Sequence, residues 1–268
     1  MNAVEALLRR ERTVVVAGLA VLALLAWIYI WRGAGMGMSA LEMTQLALFP
    51  HAHADPMPEA SMPPIDFAIV VAMWWVMMIA MMLPSAAPFV LLYGRVLRHA
   101  TAREQLSTAY ASSAFLAIGY LTVWLVFSVA AAGLQYLLQR AGLISAMMLW
   151  SKSAFLSAAV LIGAGAYQLS AFKRMCLKHC RGPAEFLTRH WRQGRVGAFT
   201  LGFRHGLWCV GCCWMLMVLL FVGGVMNLAW IALLALLVFA ETVVTRSAMI
   251  SRITGLALLT WGLVTLWV

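Results

Sequence analysis

Charge is what this sequence has least of. Asp, Glu, Lys and Arg make up 10% of its 268 residues, against ~25% in a soluble domain. Only 9 residues are acidic, while 64% are hydrophobic and the mean hydropathy is +0.91. One globular core could not bury that much apolar surface, which excludes a soluble enzyme, a DNA-binding domain or a disordered tail. The few carboxylates leave no pair spaced for acid–base catalysis. There is no phosphate-binding glycine loop, no G-x-S-x-G elbow and no H-E-x-x-H. No internal repeat is visible, and no segment between the apolar runs is long enough for a folded domain of its own.

What is present is a series of apolar runs of membrane-spanning length, ~20 residues each. The sequence predicts an all-α integral membrane protein, a bundle of about seven transmembrane helices over residues 1–268. The spans fall at 13–31, 67–92, 108–131, 153–172, 206–223, 227–243 and 253–268. Six spans is the alternative, with the fifth and sixth merged across Gly223, Gly224 and Asn227 as one broken helix. The net charge of +10 orients the bundle. With the N-terminus inside, all of the Lys and Arg except Arg32, Arg140 and Lys152 lie on the cytoplasmic side, as the positive-inside rule requires. Six spans would also move Arg246 and Arg252 outside. The first span has a basic start but lacks an A-x-A cleavage site, so 13–31 reads as a retained anchor. Residues 32–66 form an outer loop, and 67–268 form the core membrane domain with a cytoplasmic loop at 173–205. The basic balance belongs to these loops; the aromatics sit in apolar runs, so nucleic acid is not expected as a partner.

Cysteine is confined to two clusters. His205-x-x-x-Cys209-x-x-Cys212-Cys213 opens the fifth span, and at 100° per residue its four side chains share about 100° of arc. Cys176-x-x-His179-Cys180 follows the fourth span. Both lie near the reducing cytoplasmic side, where thiols act as ligands or redox groups rather than structural disulfides. Thiolates favour Cu(I) and Zn(II), and imidazole suits both. The second span is rich in methionine: Met73, Met77 and Met81 make one stripe, which Met78 and Met82 widen to about half the helix surface. Thioethers are Cu(I) ligands, although methionine is also a common core filler. Met82 lies ~15 Å from the cytoplasmic end of its span, and Cys213 lies ~12 Å beyond His205. The two could therefore meet at similar depth. Pro84 and Pro88 are expected to kink the second span. The outer loop adds Met36, Met38, Met43, His51, His53, Asp55, Met57 and Met62, which could collect copper outside. Glu241 and Asp66 stand at span ends and Gln168 within the fourth span.

These segments resemble a bacterial family of predicted metal-binding integral membrane proteins, domain-of-unknown-function family 2182. The similarity rests on Met77 to Pro88, on Tyr167-Gln168 with Lys173 and Cys176 to Arg181, and on Gly202 to Gly206 with Cys209 to Trp214. Gly224 to Trp230 and Glu241 complete it, so that it covers residues 70 to 245. The resemblance implies membrane location and metal, and assigns no reaction. In that pattern a lysine follows the glutamate; here the position is Thr242.

Together these features predict a bacterial inner-membrane protein that binds a soft metal, Cu(I) with zinc as the alternative. Its role would be uptake, sensing or delivery to a metalloenzyme, with a metallochaperone or metalloenzyme as partner and the lipid bilayer as its surroundings. The expected core site is Cys209, Cys212 and Cys213, with His205 and Met77, Met78, Met81 and Met82 as further ligands. Cys176, His179 and Cys180 would form a site of metal uptake or release at the cytoplasmic face. Two alternatives stand beside it: a thiol-redox membrane enzyme, and a structural subunit of a membrane complex.

Overall fold

A computed structural model describes residues 3–33, 41, 44, 66–100, 106–145, 149–192, 194–244 and 247–267. The described residues form helices and no strand, apart from one isolated bridge between Ile144 and Ser151. The elements are α1 (Ala3–Trp31), α2 (Phe67–Ala100), α3 (Leu106–Arg140), α4 (Ala154–Leu169), α5 (Ala171–Arg181), α6 (Pro183–His190), α7 (Gly194–Val218), α8 (Leu220–Gly223), α9 (Leu228–Val243) and α10 (Ser247–Thr265).

Five stretches are long and apolar enough to cross a membrane: Thr13–Trp31, Phe67–Leu97, Ser112–Arg140, Gly194–Gly223 and Ala248–Thr265. A sixth candidate is the pair α4 and α5, bent by 63°. The 16-residue α9 is apolar but shorter. Large apolar side chains such as Leu24, Val126, Leu137, Phe155 and Leu236 project outward from these helices. A helix pairs most of its backbone groups within itself, as an apolar surround demands; Pro84 and Pro88 in α2 each remove one such donor. The architecture is compatible with a multi-pass membrane protein.

Local chemistry explains where the elements stop. Ser170 ends α4 and starts α5, its backbone N–H bonding Tyr167 and its hydroxyl accepting from the Lys173 N–H. The bend thus falls near the end of the span expected at 153–172, and the segment 173–205 beyond it is largely helical. Between α8 and α9, Gly224 takes φ +93°, a region that favours glycine. Asn227 then caps α9 by accepting from the Trp230 N–H, while its own amide donates to the Gly223 carbonyl. α7 and α9 are therefore separate helices with a defined turn between them. α2 runs on as one helix through Pro84 and Pro88.

The methionine-rich α2 and the cysteine-bearing α7 are the more buried of the long helices. Half of the apolar window of α2 and of α7 is buried, against 11% for α1. α7 lies backbone-to-backbone on α3: a Cβ on Gly202 would overlap the Leu116 carbonyl, and Gly119 meets Phe199 in the same way. Small residues at such crossings let helices approach closely. This contact fixes the rotation of α7 and turns its cysteine face toward α2 and α5. α1 packs on α2, and α10 packs on α4.

Candidate metal centre

The cysteine spacing on α7 places Cys209, Cys212 and Cys213 in one group. Their sulfurs all lie within 4.8 Å of one another, and each residue is 1–3% exposed. A metal bonded to sulfur at ~2.3 Å holds its ligands ~3.8–4 Å apart. Two further sulfurs meet that spacing. Cys180 Sγ on α5 is 3.9 Å from Cys212 Sγ, and Met82 Sδ on α2 is 3.8 Å from Cys213 Sγ. Sulfur from three helices thus meets at this cluster, Cys180 through Cys212 and Met82 through Cys213. The similar depth expected for Met82 and Cys213 corresponds to a direct contact. All five cysteines are free thiols.

Oxygen supports the cluster without competing for a soft ion. The thiols of Cys212 and Cys213 both donate to the Cys209 carbonyl, at 3.1 and 3.0 Å. The Tyr120 hydroxyl on α3 lies 3.3 Å from both Cys209 Sγ and the Met82 carbonyl. It can donate to the carbonyl while Cys209 is a thiol and to the sulfur once that becomes a thiolate. Tyr120 is not legible in the sequence, because it lies on a different helix from every sulfur of the cluster and belongs to no motif.

The remaining candidates divide. Cys176 is buried between α5 and α7 beside Gly211, where a Cβ would come 3.1 Å from its sulfur. His179 turns the other way, stacking on Trp208 with centroids 4.2 Å apart and bonding Met175 O through Nδ1. Cys176, His179 and Cys180 are therefore not drawn to one point; only Cys180 reaches the α7 sulfurs. His205 sits one turn from Cys209, stacked on Phe89 with centroids 3.9 Å apart, and its buried Nδ1 has no hydrogen-bond partner. Such an unsatisfied atom carries a desolvation cost that a ligand would relieve. Met73, Met77, Met78 and Met81 are all buried along α2 behind Met82. The outer-loop residues Met36, Met38, Met43, His51, His53, Asp55, Met57 and Met62 lie outside the described residues.

A second polar group holds α5 in place. Lys173 Nζ is 2.6 Å from Glu241 Oε2 on α9, with both side chains almost fully buried. Gln168 bridges them, donating to Glu241 Oε1 at 3.1 Å and accepting from Lys173; Ser251 on α10 donates to Glu241 Oε1 at 2.9 Å. Thr242 stands where the resembled pattern has lysine, so the cation comes through space from α5 instead. Lys173 and Glu241 are far apart in sequence, and no spacing argument links them. The network ties α4, α5, α9 and α10 together three residues before Cys176, and so sets the position of Cys180.

Neither a curated protein nor a solved structure matches the chain. A family model described as PpoB2, a copper chaperone, matches residues 71–265, the stretch that contains both cysteine clusters, the methionine stripe and the buried ion pair. The match supports a link to copper, and it carries that description rather than the family name suggested by the motifs. The chain belongs to the PpoB2 copper chaperone family.

Proposed function

We propose that this protein is a Cu(I)-handling protein of the bacterial inner membrane, with its N-terminus in the cytoplasm. It would hold the ion at Cys209, Cys212 and Cys213 and pass it to a metalloenzyme or a soluble carrier. The observation that carries this reading is the convergence of Cys180, the α7 thiols and Met82 from three helices. The thioether favours copper over zinc, because structural zinc sites use thiolate, imidazole and carboxylate, whereas Cu(I) accepts soft neutral sulfur. Cys180 is the half-buried member of the group and is the natural point of transfer, since a carrier must reach one ligand before the others let go. The family description supports delivery over sensing.

The test is elemental analysis of the purified, full-length protein loaded with Cu(I) under reducing conditions and desalted against a competing thiol. Wild type is expected to keep about one copper per chain. A Cys209/Cys212/Cys213→Ser variant that retains its helical circular dichroism is expected to keep none. Zinc in the same pattern would change the metal; equal copper in both proteins would overturn the site.

A further inference from the structure

Three contacts fix how α2 and α7–α8 run past one another. Phe89 stacks on His205 at 3.9 Å, Met82 touches Cys213 at 3.8 Å, and Trp74 packs on Phe221 at 5.4 Å between centroids. Each step backward along α2 is matched by an almost equal step forward along α7, so the pairing is antiparallel and in register. Midway between the second and third contacts, four residues from each partner, stand Met78 and Met217. Both are completely buried. One helical turn along the bundle from the thiol cluster, about 6 Å, this register places two buried thioethers at the same level of the two helices. They follow directly from the two sulfurs already in contact, because Met78 is i−4 from Met82 and Met217 is i+4 from Cys213. The Trp74–Phe221 pair closes this layer on its far side.

Resting on the copper reading above, we propose that Met78 and Met217 form a second Cu(I) site, made of thioethers, which exchanges the ion with the thiol cluster through Met82. Thioethers are neutral and need no deprotonation to bind, so such a site takes up a soft univalent cation without losing protons. It offers nothing to a hard ion. Its affinity is lower than that of the thiolates, as a transfer position requires. With it, Cys180, Cys212, Cys213, Met82 and the Met78/Met217 pair make a sulfur path leading inward from the half-buried end of the cluster.

The experiment is anaerobic Cu(I) titration of the full-length protein in detergent without competing thiol, with copper per chain and Cu–S neighbours followed by X-ray absorption. The variants are M78L, M217L and the double variant; leucine keeps the volume and the fold. Wild type is expected to take a second equivalent with an all-sulfur shell. Each single variant should weaken that equivalent by at least about tenfold, and the double variant should lose it while keeping the first, thiol-resistant copper. A wild type that stops at one copper, or a double variant that takes two as wild type does, overturns the thioether site and leaves the cysteine site standing. A wild type that keeps no copper at all, even the tight equivalent, overturns both.

Discussion

Cys180 and His179 are neighbours in the chain with opposite surroundings, one against Cys212 and the other stacked on Trp208. Their substitution separates ligand from bystander. Cys180→Ser is expected to weaken Cu(I) binding by about tenfold, roughly 1.4 kcal/mol, without releasing the ion entirely, because three thiols remain. His179→Ala is expected to leave affinity within about twofold and to lose only a ring contact of roughly 1 kcal/mol. Competition with a coloured Cu(I) chelator reads both. An equal loss in the two variants would mean that Cys176, His179 and Cys180 act as a unit. At this scale the sequence was informative where candidate residues share one helix. Cys209, Cys212 and Cys213 could be read as one site because their angular spacing fixes them together. Met217 lies on the same face, at i+4 from Cys213, and was legible by that rule. In the sequence alone, however, a lone methionine in an apolar run is indistinguishable from core filler.

Among the elements, the close crossing of α3 and α7 decides whether the cysteine face points at α2 at all. Gly202→Val is expected to force the helices apart, costing about 3 kcal/mol and abolishing copper retention together with the native melting temperature. Gly133→Ala on α3 is the control, since nothing lies within 4 Å of its added Cβ; it should be neutral or stabilising by about 0.5–1 kcal/mol. Thermal unfolding in detergent, followed by circular dichroism, distinguishes the two. If Gly202→Val melted like wild type, the close crossing would not be what orients α7. The apolar runs that mark these helices were plain in the sequence. The break at Ser170 was not, because it depends on one residue capping two helices inside a stretch whose composition alone predicts a single span.

For the molecule as a whole, the buried Lys173–Glu241 pair joins helices from separate parts of the chain. Removing one partner strands the other charge. Lys173→Met is therefore expected to cost about 3–5 kcal/mol, and combining it with Glu241→Gln should recover most of that loss. A double-mutant cycle of unfolding free energies measures the coupling. If the double variant were no more stable than Lys173→Met alone, the pair would not be the source of the cost. Copper retention followed in the same variants tests whether α5 must be anchored for Cys180 to reach Cys212.

Composition and the length of the apolar runs determined the helical, apolar character of this protein, because an uninterrupted run of ~20 apolar residues satisfies its backbone within a single helix. Helical spacing determined which cysteines of α7 lie together, because residues on one helix keep their geometry wherever that helix is placed. Which helices adjoin was decided only by tertiary packing. The contacts of Met82 with Cys213, of Cys180 with Cys212 and of Lys173 with Glu241 each join residues distant in sequence. They depend on the glycine crossing, the Ser170 bend and the in-register run of α2 past α7, and periodicity within a single helix carries no information about its neighbour.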